Sequence, residues 1–462
     1  MANYRTPGVY VEEISTLPPS VAEVATAVPA FIGYTRTGPT DTAEPKVERV
    51  TTMLEYESAF GGPPAAQFEI TQPVDDKGHP TADASASQVP PTTAFSLYYA
   101  LSHYFRNGGG PCYVVSVGDY AAKPGSARFL SGLAALEMED EPTLIVLTEA
   151  ACVLSPADYY GVCGAALVQC RNLGDRFTIL DVARKDAKTD VDTFRNNADL
   201  SANLMYGAAY HPYLQTSIVY AYDDADVAVK RVAPAGSSFT APPGETLESI
   251  KSSDTALYNH ARTLLEGQRV VLPPSAAMAG IYARVDRERG VWKTPANVGV
   301  LAVLGPVAKI TDDDQDRLNV DPTAGKSVNA IRAFTGKGTL VWGGRTLAGN
   351  DNEWRYVSVR RLFITIEEST KKASAFAVFE PNDQSTWLKV KAMIESYLYG
   401  LWEQGALAGS KPEAAYYVHV GLGTTMTPQD VLEGRMIVEI GVAAVRPAEF
   451  IVLRFSHKLQ TA

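Results

Sequence analysis

Cysteine is scarce in this chain: four in 462 residues, at 112, 152, 163 and 170, with no Cys-x-x-Cys pair and no histidine close enough in sequence to complete a zinc site. That spacing offers neither a metal site nor a disulfide framework and reads as buried free thiols in a chain made in the cytoplasm. No apolar run approaches the roughly 20 residues that a membrane-spanning helix needs. The first residues lack the basic, then apolar, then small-residue order of a signal peptide. Positive charge is also short, with 41 Lys+Arg against 52 Asp+Glu and a formal net charge of −11. Such a surface repels phosphate backbones, and no basic run interleaved with aromatics argues otherwise, so nucleic acid is not an expected partner.

Catalytic signatures are missing too. There is no Gly-x-Ser-x-Gly elbow and no His-Glu-x-x-His helix, and the six histidines, at 79, 103, 211, 260, 419 and 457, stand in no triad context. Gly325-Lys326-Ser327 carries the end of a phosphate loop, but Val320 stands where the leading glycine belongs. Asp312-Asp313-Asp314-Gln315-Asp316 suggests calcium, yet Arg317 replaces the invariant glycine and Thr323 the closing glutamate. A solvated acidic loop is the expectation there. No cofactor and no metal are expected.

What the chain does have is β-prone ends. Val9, Tyr10, Val11, Glu12 and Ile14 mark a short strand set off by a connector with Pro18-Pro19. At the other end, Phe450, Ile451, Val452, Leu453, Arg454 and Phe455 begin a strand reaching Leu459, with Ile451, Leu453 and Phe455 on one face. Apolar strand ends expose unpaired N–H and C=O groups and invite pairing with some sheet edge. A neighbouring copy could receive them by strand addition, or they could fold back onto their own sheet; pattern alone does not choose.

Between the ends, periodicity predicts an α/β body. A strand over 30–35 precedes a Pro, Thr, Asp and Ala-rich stretch, 36–92, that reads as a loop-rich surface insertion. From 93 strands alternate with helices: a helix over 95–105, strands at 112–117, 143–147, 177–182 and 217–222, and helices over 156–172, 191–206 and 255–266. Residues 223–250 read as a second insertion. Two later helices, 355–379 and 386–403, carry apolar stripes expected to pack on a sheet formed by 415–420 and 435–445.

Resemblance adds to this reading. Thr6-Pro7-Gly8-Val9-Tyr10-Val11-Glu12-Glu13, Gly290-Val291-Trp292-Lys293-Thr294-Pro295-Ala296-Asn297, Gly338-Thr339-Leu340-Val341-Trp342-Gly343-Gly344-Arg345-Thr346 and Arg446-Pro447-Ala448-Glu449 stand in the order seen in contractile tail sheath proteins. The chain resembles that family, which forms the outer cylinder of phage tails, R-type pyocins and extracellular contractile injection systems. The resemblance covers the first 35 residues and nearly everything from 272 onward. It implies a multi-domain protein: an N-terminal arm with a first core strand (1–35), the insertion (36–92), a subtilisin-like α/β middle domain (93–272) and an α+β C-terminal sheath core (273–462) ending in an arm from about 447.

The resemblance further implies that terminal strands add to neighbouring subunits, with Pro18, Pro19, Gly441 and Pro447 as candidate hinges. Partners would be further copies in a helical homo-oligomer, an inner tube, and baseplate and cap proteins; the particle, a virion tail or injection machine, would be assembled in the bacterial cytoplasm. Residues 331–462 hold 15 Lys+Arg against 13 Asp+Glu, leaving 26 of the 41 basic and 39 of the 52 acidic side chains to residues 1–330. The slightly basic C-terminal part is therefore expected to face the tube, with Lys389 and Lys391 as candidate contacts. Two other readings, a hydrolase using the middle domain and a different self-assembling shell protein, remain open.

Overall fold

The structure is a computed structural model that describes residues 21–40, 43–89, 95–184 and 190–452. The strands, in chain order, are β1 (Pro29–Tyr34), β2 (Lys46–Val50), β3 (Phe68–Pro73), β4 (Ser85–Gln88), β5 (Cys112–Gly118), β6 (Leu144–Val146), β7 (Phe177–Asp181), β8 (Gly207–His211), β9 (Leu214–Val219), β10 (Ala228–Val232), β11 (Arg269–Leu272), β12 (Val298–Gly299), β13 (Val303–Pro306), β14 (Val328–Phe334), β15 (Gly338–Val341), β16 (Tyr416–Val420) and β17 (Val438–Val442). Nine of them form one sheet in the order β12-β15-β14-β8-β7-β6-β1-β5-β2. From β14 to β5 neighbouring strands run parallel, while β2, β15 and β12 close the two ends antiparallel.

The central strands are buried along their whole length, as parallel strands covered on both faces must be. Side-chain alternation along β1 shows the two layers. Phe31 meets Tyr104 of the Leu97–Arg106 helix, ring centroids 5.1 Å apart, while Ile32 lies under Gly132 of the Ser126–Leu136 helix. Gly280 lets the Ser275–Arg289 helix approach Leu97–Arg106, since a Cβ there would come within 2.5 Å of the Tyr104 carbonyl.

The expected loop-rich insertion is more ordered than its composition suggests. Residues 46–50 become edge strand β2 and Met53–Phe60 is a helix N-capped by Thr52. The remainder joins the second insertion. β3 pairs with β4 and with β10, and the Leu247–Ser253 and Thr255–Gly267 helices complete a separate small core around Phe68, Ile70, Val229, Leu247 and Leu265. Alternating Phe68, Ile70 and Gln72 carry the strand signal, diluted by surrounding Pro, Thr and Asp.

Other expectations also shift. The helix over 191–206 breaks after Asp190–Arg195 into two 3-10 turns, because the Asn197 side chain accepts from the Asp199 N–H and Asn203 takes φ +58°. The helix over 355–379 is Val357–Ala373 followed by a 3-10 turn, Ser374–Ala377, and Phe379 at φ +68° ends the segment. The acidic run at 312–316 is helical rather than a loop: Thr311 and Asp314 form a capping box, and carboxylates at a helix N-terminus favour the macrodipole.

Two compact units emerge among the described residues, 21–24 with 366–445 and 25–365 with 446–452. Residues 273–365, assigned from sequence to the C-terminal domain, share the unit of the nine-stranded sheet because β14 pairs with β8. The smaller unit holds the Gln384–Glu403 helix, whose Val390, Met393, Ile394, Leu398 and Leu401 are buried, and the antiparallel pair β16–β17.

Candidate assembly interface

The β16–β17 pair places Tyr417 opposite Gly441, Val418 opposite Ile440 and His419 opposite Glu439. Val418 is buried and the Gln384–Glu403 helix packs against β16. On the other face Tyr417 stacks on His419, centroids 4.8 Å apart, and donates to Glu439 at 3.1 Å. Among the described residues both outer edges of this pair are open. Leu422, Leu432 and Ile437 stand exposed on the segment joining the strands. Open edges beside exposed apolar side chains can accept further strands.

The N-terminal strand residues Val9, Tyr10, Val11, Glu12 and Ile14, the connector prolines Pro18 and Pro19, and Leu453, Arg454 and Phe455 lie outside the described residues. Phe450, Ile451 and Val452 are described: among the described residues they pair with no strand, and they are 72, 79 and 76 % exposed. Three consecutive apolar side chains left in water call for a covering partner.

The body holds the roots of both ends. Thr143 Oγ1 donates to the Thr26 carbonyl at 3.0 Å and accepts from the Val28 N–H at 2.9 Å. Arg361 Nη2 donates to the same Thr26 carbonyl at 2.8 Å while its guanidinium pairs with buried Asp286. At the other root, Glu449 receives Arg345, Asn319 and Tyr356.

Of the candidate hinges, Gly441 needs correction. It lies inside the β17 ladder, and a Cβ there would run into the Tyr417 ring, so its missing side chain serves packing. Pro447 sits between Arg446, which donates to the Asn352 carbonyl at 2.8 Å, and the anchored Glu449. Lys389 is exposed, whereas Lys391 is half-buried and pairs with Glu395 at 3.7 Å. Two residues apart on a helix, they point roughly 200° apart and form no single patch.

The larger unit contains a buried polar cluster that sequence reasoning missed. Ser275, opening its helix, donates its hydroxyl to Asp181 Oδ2 at 2.5 Å and its N–H to Oδ1 at 2.8 Å; Thr148 Oγ1 lies 2.6 Å from the same hydroxyl. Burial pushes the Asp181 carboxyl up to about 7, against the pull of both Ser275 donors. Next to Thr148, buried Glu149 accepts from the Leu97 N–H at 2.6 Å and the Tyr34 N–H at 3.4 Å, and burial raises it to about 8. It meets the N-terminus of the Leu97–Arg106 helix as an internal capping carboxyl.

No histidine bonds to a serine or cysteine among the described residues. His103 contacts the Leu301 carbonyl at 3.1 Å, and burial lowers both His103 and His211 to about 4. The general-base position of a triad is thus unfilled around Ser275. Lys326 of the Gly-Lys-Ser run is spent on the Arg195 and Asn197 carbonyls, and Ser327 donates to the Asn319 carbonyl. No metal-ligating cluster occurs among the described residues, and no described helix is long and apolar enough to cross a membrane.

Residues 349–458 match the family described as phage tail sheath C-terminal domain. The contracted PVC sheath complex of an extracellular contractile injection system is 31 % identical, with 99 % of each chain covered and a TM-score of 0.67. The chain belongs to the contractile sheath family. The contracted helical sheath of the anti-feeding prophage is also 31 % identical, covering 99 % of this chain and 100 % of that one at a TM-score of 0.65. The tail sheath protein of Burkholderia phage BcepMu is 30 % identical over 37 % of each chain. Matches to curated tail sheath proteins span 22 to 44 % of those relatives' lengths. The mixed α/β architecture of this sheath protein agrees with the injection-system sheaths over essentially the whole chain.

Proposed function

We propose that this sheath protein is the structural, non-catalytic subunit of the contractile cylinder around the inner tube of a phage tail-like injection machine. The observation that carries the reading is full-length similarity to helical sheaths in the contracted state, together with exposed apolar Phe450, Ile451 and Val452 and a two-stranded sheet with two open edges. Two terminal arms and two free edges per subunit suit a continuous mesh: residues 9–14 and 450–459 of each copy add to the β16–β17 pairs of neighbours. Each added backbone hydrogen bond contributes about 0.5–1.5 kcal/mol net, alongside burial of alternate apolar side chains. The connector with Pro18 and Pro19, and the base of the C-terminal arm, swing while the strands stay paired.

The extended state is held metastable, and body contacts that improve on contraction drive the tube through a target envelope. Partners are further copies, the inner tube, and baseplate and cap proteins; a similar chain occurs in the anti-feeding prophage baseplate. The particle is assembled in the bacterial cytoplasm. The nine-stranded middle is read as a subtilisin-like fold without the chemistry, consistent with Ser275 bonded directly to Asp181.

Full-length protein should assemble into helical tubes visible by negative-stain microscopy. Deletion of 450–462 should leave a soluble folded monomer that forms none. A truncated protein that misfolds would mean that the arm completes its own core, at about 2–5 kcal/mol for each large apolar side chain lost. One that still forms tubes would remove the strand-addition reading.

A further inference from the structure

Glu449 stands immediately before the exposed Phe450, Ile451 and Val452, and its carboxylate is gripped from three places on the larger unit. Arg345 takes it bidentately, Nε to Oε1 at 2.9 Å and Nη2 to Oε2 at 2.7 Å. Asn319 Nδ2 donates to Oε1 at 2.9 Å, and the Tyr356 hydroxyl to Oε2 at 3.1 Å. The Arg345 side chain is 4 % exposed and that of Glu449 22 %. Fork-to-fork pairing of this kind fixes orientation as well as charge.

The donors are themselves held in place. Asn329 of β14 accepts from the Arg345 N–H at 2.8 Å and donates to the Arg345 carbonyl at 2.8 Å. Arg345 and Tyr356 face each other across a β-bridge, flanked by the Thr346 N–H to Arg355 carbonyl bond at 2.8 Å. Ser327 donates to the Asn319 carbonyl at 2.6 Å. Burial alone would raise the Glu449 carboxyl, but Arg345, Asn319 and Tyr356 outweigh it and hold it below the usual glutamate range. A preorganised set of donors converges on one carboxylate at the root of a terminal segment, and nothing in an ordinary body ion pair requires that concentration.

We infer that Glu449 is the anchor of the C-terminal arm: it clamps the chain to the larger unit, so the arm pivots from Phe450 onward rather than at Pro447. The inference rests on the sheath reading for its role in assembly, but not for the clamp itself. Anchored there, an arm seated on a neighbour pulls on the body through Arg345, Asn319 and Tyr356. The same stretch of chain, 356–361, also carries Arg361 on the Thr26 carbonyl. Both arm roots are therefore tied to one short segment, a path by which motion at one end reaches the other.

The test uses full-length Glu449→Gln, which keeps shape but places an amide against cationic donors, with Glu245→Gln as control. Arg231 and Glu245 form a similar two-point pair, 2.9 and 3.2 Å, on the three-stranded sheet β10-β3-β4. In dispersed protein, amide hydrogen exchange over 345–347 and at Val357, whose N–H groups are hydrogen-bonded beside the clamp, should speed at least tenfold in Glu449→Gln and stay at the wild-type rate in Glu245→Gln. In assembled sheaths, triggered contraction should stop partway in most Glu449→Gln particles and run to completion in the control. Tyr356→Phe, removing one donor, should give a smaller rise in exchange and keeps the clamp testable should Glu449→Gln fold poorly. Wild-type exchange in Glu449→Gln, or equal acceleration in Glu245→Gln, overturns the anchor. Wild-type protein that forms no helical tubes overturns the sheath reading instead, while exchange still decides the clamp.

Discussion

Glu149 and Asp181 show what single residues contribute when no opposite charge compensates burial. Both carboxyls are fully buried, held by N–H or hydroxyl donors, and titrate at about 8 and about 7. A folded-state value above the unfolded one means that the fold binds the proton more tightly, so this stability is present at low pH and lost as pH rises. The window runs from the ordinary carboxylate range, about 4, up to about 7 and about 8 for the two groups. The melting temperature of dispersed protein should therefore decline from about pH 4 to about pH 8 and level off above it. Glu149→Gln should cost about 1–3 kcal/mol at pH 6, where a neutral acid is replaced by an amide with an extra donor, and flatten the decline above it. Parallel wild-type and variant curves would show that Glu149 does not titrate in this range.

At the scale of elements, the β16–β17 pair depends on a glycine matched to an aromatic ring. Tyr417 lies over Gly441 across the ladder, covering backbone that a side chain would otherwise shield. Gly441→Val should destabilise the hairpin by about 1–3 kcal/mol through overpacking and reduce tube assembly in proportion. Tyr417→Ala in the same chain should restore part of that loss, because the clash goes with the ring; double-mutant thermal melts check the coupling. Strict additivity of the two substitutions would mean that the ring and the glycine do not interact. Gly441 thus marks a position of close packing, and flexibility near it belongs to the chain that follows.

For the whole molecule, charge divides unevenly: 13 more acidic than basic side chains lie in residues 1–330, while 331–462 carry a slight basic excess. A tube-facing role for the smaller unit calls for accessible cations, and the Gln384–Glu403 helix offers exposed Lys389, while half-buried Lys391 is engaged by Glu395. Lys389→Glu should weaken loading of sheath onto an acidic inner tube at low salt, more than Lys391→Glu, and high salt should narrow the gap. Co-sedimentation of tube with sheath measures this. Equal loading by both variants and the wild type would remove Lys389 from the interface.

The sequence alone determined the elements whose signal is local. β1, β5, β6 and β7 are continuous apolar runs, as buried parallel strands must be, and the Pro156–Leu173 helix is bounded by Ser155, Pro156 and Gly174. The paired strands β16 and β17 and the apolar stripe of Gln384–Glu403 were legible for the same reason, as was the family. Tertiary structure decided everything that depends on which distant segments meet. Two stretches read as separate insertions share one sheet because β3 pairs with β10. Arg345 and Glu449, 104 residues apart, each look like an ordinary surface charge until the fold brings them together. Glu149 becomes a helix cap only where β6 delivers it to the start of Leu97–Arg106. Periodicity and capping are written within a few turns of chain, whereas hydrogen-bond partners across a hundred residues carry no local mark, and only chain closure in three dimensions selects them.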